Sequence, residues 1–267
     1  MEIEVNGKKR TIGCRTAFEL RAQLGSESDI VILNGFQIDN DCSLSENDTL
    51  TIIRKGVMPD QEELESMMTA RHTPAVHKKL KLGRVAIAGL GGLGSNIAVM
   101  LARIGVGRLL LVDFDIVEPS NLNRQSYYIR HLGMPKTTAL QNQLEEINPF
   151  IQIEIRTVRV ESGNVAELFA NYEILCEAFD KPAAKAMLVN TALEKIPHIK
   201  IVAASGMAGF SSSNSIKTAR PMERLYVCGD LENGAGIGTG LMAPRVQICA
   251  GHQANMILRL LVGREEI

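Results

Sequence analysis

The chain has 267 residues, 45% hydrophobic and 22% charged, which is typical of a globular protein. Lysine and arginine number 29 against 30 acidic residues, so we expect neither a nucleic acid nor a membrane surface as a partner. The amino terminus lacks a signal-peptide pattern, and no apolar run approaches the ~20 residues of a membrane helix, so a cytoplasmic protein is expected. The 5 widely spaced cysteines favour neither a disulfide framework nor a zinc site of the Cys-x-x-Cys type.

Residues 1–56 predict a small domain built from a hairpin, one helix and further strands. Asn6-Gly7 tolerates the positive φ angles of a tight hairpin turn. Thr16 and Glu19 form a capping box, which predicts that a helix begins there. The predicted strands are residues 3–5, 8–12, 30–33 and 49–53. This order of elements suits a β-grasp fold.

Residues 57–80 predict a helical linker, with a helix over residues 60–70 that stops before Pro74, because the residue preceding a proline avoids the helical region. From residue 81 to residue 267, apolar strand-like runs alternate with amphipathic segments of helix length. This alternation predicts an α/β domain with a Rossmann-like, mostly parallel sheet and crossover helices. The predicted strands are residues 85–88, 109–112, 151–155, 174–176 and 201–204, followed by an antiparallel pair at 207–217 and 225–228 and a closing helix at 244–262.

A glycine-rich turn lies between the first strand of this second domain and a helix predicted over residues 96–104. Its glycines, Gly89, Gly91, Gly92 and Gly94, include a G-x-G-x-x-G motif. Such glycines allow a tight turn and let phosphates approach the helix amino terminus, where free N–H groups favour negative charge. A strand-to-helix turn without a ligand is the alternative, and the combination of strand, spacing and helix favours nucleotide binding.

Charged residues after the second strand separate the classes of nucleotide-binding protein. Asp113 ends that strand, where an acidic side chain reaches ribose hydroxyls, and a dehydrogenase would share this feature. Asp115 is interpreted as a solvated strand end. Arg124 and Lys136 have no evident use in a nicotinamide enzyme, whereas nucleotidyl transfer must neutralise charge on the α-phosphate and the departing pyrophosphate. The two cations therefore favour nucleotidyl transfer, and a solvated surface pair is the alternative.

Together these motifs resemble the ThiF/MoeB family of ubiquitin-activating-like adenylyltransferases, over roughly residues 70–262. The motifs that carry the resemblance are Gly89-x-Gly91-x-x-Gly94, Asp113-Phe114-Asp115, Asn121-x-Asn123-Arg124-Gln125 and Gly133-x-Pro135-Lys136. The resemblance implies that residues 81–267 form an ATP-binding adenylyltransferase domain. By the same resemblance, Asp113 binds ribose, and both Asn121 and Arg124 contact phosphates. Gln125 then shapes that loop, and Lys136 holds the triphosphate.

The resemblance also implies a magnesium ligand and a residue shared across a homodimer. Family enzymes place a magnesium-binding aspartate after the fourth strand, where this chain has Asp180-Lys181 in place of the usual Asp-Asn; a helix N-cap is the alternative role of Asp180. An arginine before the first strand reaches the partner's ATP in these homodimers, and Arg71 lies at about that place, with a plain surface arginine as the alternative. Zinc is not predicted, and Cys228 is the candidate for a covalent link to the carrier, although most free cysteines are inert.

The first domain resembles the ThiS sulfur carriers in length and element order. Such carriers end in an exposed Gly-Gly, whereas here the chain continues through Gly56 into Val57, so this domain is not the substrate. We hypothesise that it is a docking or dimer-organising module, with a purely stabilising fusion partner as the alternative.

The whole resemblance implies an adenylyltransferase that uses Mg-ATP to activate the C-terminal glycine carboxylate of a ThiS-like sulfur carrier as an acyl-adenylate, in thiamine thiazole biosynthesis. A carboxylate is already a nucleophile, so the reaction needs positioning and charge stabilisation rather than acid–base groups. Two alternatives stay open. One is a nicotinamide-dependent oxidoreductase, and the other is a non-catalytic nucleotide-binding or carrier-docking module.

Overall fold

The computed structural model describes residues 1–72 and 74–267, which divide into two compact units, Met1–Lys78 and Lys79–Ile267. The division falls inside the segment predicted as a linker. Each unit contains its own cluster of buried apolar side chains.

The first unit contains a five-stranded sheet with the strand order β2-β1-β5-β3-β4. Its strands are β1 (Glu2–Val5), β2 (Lys8–Thr11), β3 (Ile30–Leu33), β4 (Phe36–Gln37) and β5 (Thr49–Ile53). β1 pairs antiparallel with β2 and parallel with β5, which gives the predicted β-grasp arrangement. The short β4 was not predicted. It follows the turn at Asn34-Gly35, where both residues have positive φ angles of 49° and 91°.

The helix α1 (Ala17–Leu24) packs on this sheet. It begins at the predicted capping box: Thr16 Oγ1 accepts a hydrogen bond from Glu19 N at 3.3 Å, and the Glu19 carboxylate accepts one from Thr16 N. Ala17 and Leu20 are buried on the face that meets the sheet. Two further helices follow, α2 (Gln61–Thr69) and α3 (Pro74–Leu82), and the division between the two units falls within α3.

The second unit contains a seven-stranded sheet with the order β11-β12-β10-β9-β6-β7-β8. Neighbouring strands are parallel except for β11, which pairs antiparallel with β12. When only the six parallel strands are numbered in chain order (β6, β7, β8, β9, β10 and β12), the order across the sheet is 3-2-1-4-5-6, the arrangement of a Rossmann fold. The strands are β6 (Arg84–Ala88), β7 (Arg108–Val112), β8 (Gln152–Arg156), β9 (Ile174–Glu177), β10 (Lys200–Ala204), β11 (Lys217–Met222) and β12 (Leu225–Gly229).

Helices connect and cover these parallel strands. They are α4 (Gly92–Arg103), α5 (Lys136–Ile147), α6 (Val165–Phe169), α7 (Pro182–Lys195) and α8 (Ala243–Leu261). The predicted α/β architecture and its closing helix are confirmed. Among the residues that the structure describes, no helix combines the length and the apolarity of a membrane span.

Two predicted boundaries are wrong. The helix after the glycine turn begins at Gly92 rather than at residue 96, because the last glycines of the motif form its first turn. The strand predicted at 207–217 lies instead at Lys217–Met222. The preceding segment is an irregular loop in which the Arg245 side chain donates hydrogen bonds to the carbonyl groups of Ser211 and Ser212. These carbonyl groups therefore do not accept hydrogen bonds from a neighbouring strand.

Candidate nucleotide-binding site

The glycine turn joins the carboxyl end of β6 to the amino terminus of α4, beside the point where the strand order reverses. Ligands of open α/β sheets bind at this place. Gly89 has a φ angle of +92°, and a Cβ atom there would lie 2.8 Å from Ala178 O. A Cβ atom at Gly94 would lie 1.8 Å from Gly89 O. These two glycines are therefore required by the packing of backbone against backbone.

Gly91 differs from these two glycines because its free side faces open space. Its φ angle is −79°, and the nearest atom to an added Cβ would be Gln125 Nε2 at 3.9 Å. Gly91 is the N-cap of α4, and no side chain caps the helix there. The first-turn N–H groups of α4, which have no intrahelical partner, are thus left for an anionic ligand.

We expect Gly91→Ala to affect mainly ATP binding and Gly94→Ala to affect mainly stability. Gly91→Ala should leave the free energy of unfolding within about 1 kcal/mol of wild type, yet weaken ATP binding ~10-fold by obstructing the phosphates. Gly94→Ala should cost about 2–3 kcal/mol of stability, because the methyl group meets backbone. Urea denaturation and calorimetric titration with ATP measure the two quantities. Unchanged ATP affinity in a folded Gly91→Ala variant would contradict the placement of the phosphates.

Asp113 connects the end of β7 to the glycine turn. Its buried carboxylate accepts hydrogen bonds from Leu90 N at 2.7 Å and from Asp115 N at 2.9 Å. A carboxylate offers about four acceptor positions, so two remain for other donors such as hydroxyl groups. Asp113 thus holds the turn in place, and the binding of ribose stays a prediction.

Residues 118–127 form a loop over the amino terminus of α4. The side-chain oxygen of buried Asn121 accepts a hydrogen bond from Glu118 N at 3.0 Å, and its carbonyl group accepts from Arg124 N and Gln125 N. Asn121 therefore shapes the loop that presents Arg124 and Gln125, and its contact with phosphate stays a prediction.

A hydrogen-bond network that the sequence reasoning missed fastens this loop to α4. Asn96 Nδ2 donates to Gly92 O at 2.6 Å and to Arg124 O at 3.0 Å. Ser126 Oγ donates to Asn96 Oδ1 at 2.8 Å, and Tyr127 Oη donates to Leu90 O at 2.8 Å. The available signal was Asn96 itself, which with Ser95 is polar in the first turn and a half of a helix that continues with mostly apolar residues.

Arg124 lies beside the glycine turn. Its Cγ and Cδ atoms are 3.5 Å and 3.7 Å from the position of a Cβ atom on Gly92. Nη1 donates to Ser120 O at 3.0 Å and to Asn123 Oδ1 at 2.8 Å, and the described residues offer no partner to Nη2. The bonds of Nη1 therefore hold the guanidinium group in place, and among the described residues nothing competes with a ligand for Nη2.

Gln125 is buried next to Gly91, and its Oε1 atom has no hydrogen-bond partner among the described residues. Unpartnered buried polar atoms are rare in proteins, and a ligand donor is one way to satisfy such an atom. This observation fits a bound nucleotide at the glycine turn.

Lys136 is the first residue of α5 and is buried, and its Nζ atom lies 3.2 Å from Asp115 Oδ2. The interpretation of Asp115 as merely a solvated strand end is thus corrected: its carboxylate is half exposed but pairs with Lys136. Asp115 N donates a hydrogen bond to the Asp113 carboxylate, which also accepts one from Leu90 N in the glycine turn. The Asp113 carboxylate therefore links the Lys136–Asp115 pair to the glycine turn. A triphosphate would have to share the ammonium group with Asp115.

Asp180 follows β9 at the same edge of the sheet. Its side chain is exposed, and among the described residues it has no hydrogen-bond or ion-pair partner. The N-cap of α7 is Lys181, so the N-cap interpretation of Asp180 is wrong. The described residues contain no group of three or more His, Cys, Asp or Glu side chains that could hold a metal ion. Mg²⁺ needs no such group where one carboxylate acts together with substrate phosphates.

A buried ion pair between Asp230 and Arg245 was also missed. Arg245 donates to Ser211 O at 2.9 Å and to Ser212 O at 2.7 Å, so one side chain links α8 to the irregular loop before β11. The available signal was an arginine in the first turn of a helix whose other buried residues are mostly apolar.

Two predicted residues remain, Arg71 in the first unit and Cys228 in the second. Arg71 belongs to the first unit, where its Nη2 atom donates to Gln37 Oε1 at 2.7 Å, and its role across a homodimer stays a prediction. Cys228 is fully buried in β12, and burial raises the pKa of its thiol to about 11. Because the thiolate is the reactive form, this conformation does not support a covalent link through Cys228.

The strand order and the glycine turn at the reversal point define a Rossmann-type nucleotide-binding domain. Comparison with protein families gives a match to the ThiF family over residues 65–267 and to ThiS-like ubiquitin over residues 1–56. The chain belongs to the ThiF family and carries an N-terminal ThiS-like ubiquitin domain. This confirms the resemblance on which the site residues were predicted.

Known relatives agree with this membership. The molybdopterin-synthase adenylyltransferase of Haemophilus influenzae is 32% identical over 198 residues, which cover 70% of this chain and 79% of that protein. The sulfur carrier protein adenylyltransferase of Thermus thermophilus is 35% identical over 125 residues, covering 45% and 46%. These relatives are nucleotidyltransferases by their named activity, and this chain is an enzyme of that class.

A solved structure supports the fold alone. The Escherichia coli tRNA N6-threonylcarbamoyladenosine dehydratase TcdA in complex with ATP aligns with a TM-score of 0.68 at 19% identity, covering 77% of this chain and 96% of that chain.

Proposed function

We propose that this enzyme uses Mg-ATP to adenylylate the C-terminal glycine carboxylate of a small ThiS-like sulfur carrier protein. The observation that carries the proposal is the open side of Gly91 at an uncapped helix amino terminus, with Arg124 and the unpartnered Gln125 oxygen beside it. The uncapped helix terminus and Arg124 suit a chain of phosphates, and the Gln125 oxygen, which accepts hydrogen bonds, suits a donor group elsewhere on the nucleotide, such as a hydroxyl or amino group. The sulfur carrier is the substrate that the Thermus thermophilus relative is named for.

In the proposed reaction a carrier carboxylate oxygen attacks the α-phosphorus of ATP. A new P–O bond forms, the bond to the β-phosphate breaks, and pyrophosphate leaves with the electron pair. Arg124, Lys136 and the N–H groups of α4 stabilise the charge that builds up on these phosphates. Asn121 and Gln125 support the loop, and Asp113 accepts from the ribose. No protein acid or base is needed, because the attacking carboxylate is already ionised.

Asp180 would hold Mg²⁺ together with the phosphates. Mg²⁺ would supply charge neutralisation at the oxygens of the leaving group. Arg71 would act from the partner subunit of a homodimer. Both roles rest on the family resemblance, and the exposed, unpaired state of Asp180 among the described residues is compatible with its role.

The two candidate pathways for the carrier are thiamine thiazole biosynthesis and molybdopterin synthesis. The ThiS-like domain at residues 1–56 favours a ThiS-type carrier, and therefore the thiamine pathway. The Haemophilus influenzae relative, by its name, makes a molybdopterin-type carrier the candidate to test beside it. The fused domain continues into Val57 beyond Gly56, so it acts as a docking or dimer-organising module rather than as substrate.

Exchange of labelled pyrophosphate into ATP tests the proposal. We expect exchange that depends on Mg²⁺ and on an added ThiS-type carrier, and none with a carrier that lacks its terminal glycine. Exchange with a molybdopterin-type carrier alone would move the enzyme to that pathway. The absence of exchange with every carrier, while ATP still binds, would favour the non-catalytic module, and binding of NAD in place of ATP would favour the oxidoreductase.

A further inference from the structure

A buried ion pair lies directly behind the end of β9, where neither the sequence reasoning nor the proposed chemistry uses it. Glu177 is the last residue of β9, and its side chain is 1% exposed. Lys185, in the first turn of α7, directs Nζ at both carboxylate oxygens, with distances of 3.0 Å and 2.9 Å. The same ammonium group donates to Ala204 O at 3.0 Å. The pair therefore joins the carboxyl ends of β9 and β10 to α7.

Lys185 has no hydrogen-bond donor left for a substrate. An ammonium group carries three N–H donors, and its three acceptors here are Glu177 Oε1, Glu177 Oε2 and Ala204 O. Its charge is compensated by a buried carboxylate. Lys185 is thus unlike Arg124, whose Nη2 atom has no partner among the described residues.

Glu177 in turn holds the segment that follows it. Its Oε1 atom accepts a hydrogen bond from Phe179 N at 2.7 Å, which fixes the turn from Ala178 to Asp180. This turn lies against the first glycine of the nucleotide motif: a Cβ atom on Gly89 would be 2.8 Å from Ala178 O and 2.9 Å from Phe179 Cδ1. One turn thus touches the glycine motif on one side and carries Asp180 on the other.

We propose that Glu177 and Lys185 are positioning residues that fix the Ala178–Asp180 turn. Through this turn they set the direction of the Asp180 carboxylate and the position of the backbone against which Gly89 packs. This inference rests on the proposed function, in which Asp180 holds Mg²⁺ beside the phosphates. A displaced turn would weaken the binding of Mg-ATP.

Lys185→Met tests the inference, and Lys195→Met is its control. Lys195 lies on the same helix, but its Nζ atom donates to Ser162 O at the surface. In pyrophosphate exchange, we expect Lys185→Met to raise the Mg²⁺ concentration for half-maximal rate and the KM for ATP, each on the order of 10-fold. The KM for the carrier should not change. A folded Lys185→Met variant with wild-type dependence on Mg²⁺ and ATP would overturn the inference.

Two further variants test the inference if Lys185→Met does not fold. Lys185→Arg keeps the positive charge and should recover most of the wild-type dependence on Mg²⁺. The double variant Glu177→Gln with Lys185→Met leaves no uncompensated buried charge, and it should show the raised requirement for Mg²⁺ and ATP. A double variant that behaves as wild type in both respects would overturn the inference.

Calorimetric titration with Mg-ATP in the absence of carrier separates the inference from the proposed function. If the wild type binds Mg-ATP but exchanges no pyrophosphate, the proposed function fails, and Lys185→Met is still expected to bind Mg-ATP more weakly. If the wild type exchanges pyrophosphate and Lys185→Met binds Mg-ATP equally well, the inference alone fails.

Discussion

Arg124→Ala is expected to slow carrier-dependent pyrophosphate exchange by on the order of 10²-fold or more. The side chain lies beside Gly92, and its Nη2 atom has no partner among the described residues. A cation that meets charge developing on the α-phosphate and on pyrophosphate stabilises the transition state more than the bound substrate. The loss should therefore persist at saturating ATP and carrier. Lys136→Met should show a loss of the same order.

Arg130→Ala is the matched control for this prediction. Arg130 is the next arginine in the chain after Arg124, but its Nη2 atom forms an ion pair with exposed Glu146 at 3.2 Å. The Arg130 guanidinium group also lies over the ring of Tyr128. Its replacement should leave the exchange rate unchanged. Equal exchange rates in Arg124→Ala and Arg130→Ala would show that Arg124 has no special role at the phosphates.

Arg245→Met is expected to lower the free energy of unfolding by about 3–5 kcal/mol, because the buried carboxylate of Asp230 loses its cationic partner. The carbonyl groups of Ser211 and Ser212 lose their donor in the same change. Urea denaturation at pH 7 measures the effect. Arg84→Met is the control, since Arg84 pairs with Glu173 at the surface, where such pairs contribute little. An equal loss in both variants would contradict the importance of burial.

The same ion pair predicts a dependence of stability on pH. Burial acts to raise the pKa of Asp230, but hydrogen bonds from Asn233, Glu232 and Arg245 prevail and lower the pKa below its usual value. A carboxylate with a lowered folded-state pKa stabilises the protein above its unfolded pKa of ~3.9 and loses this contribution as the pH falls. Asp230→Asn should therefore be less stable than wild type at pH 7, and the difference should narrow below about pH 4. A constant difference would contradict this assignment.

Local signals in the sequence predicted the elements well, because they act over a few residues. The capping box of Thr16 and Glu19 and the hairpin at Asn6-Gly7 are formed as expected. The apolar runs predicted the parallel strands to within about a residue, since a buried strand of a parallel sheet must be apolar on both faces. The Asn34-Gly35 turn offered the same kind of signal for β4 and was overlooked.

The site could be predicted only as a set of residues, not as a set of contacts. The motifs indicated Arg124, Gln125 and Lys136, but the pairing of Lys136 with Asp115 depends on how α5 packs beside the end of β7. Lys185 and Arg245 read as ordinary helical cations in the sequence. Their buried partners, Glu177 and Asp230, lie in other parts of the fold. The local periodicity of a helix does not indicate contacts with residues that lie outside that helix.

The mass of the carrier after incubation with enzyme and Mg-ATP tests the central claim most directly. Mass spectrometry of the intact carrier, with pyrophosphatase present, should detect a gain of one adenylyl group at the terminal glycine with the wild type, and little or none with Arg124→Ala. A carrier that remains unmodified with fully ATP-binding wild-type enzyme, for both ThiS-type and molybdopterin-type carriers, would contradict the claim that this cleft activates a carrier carboxylate.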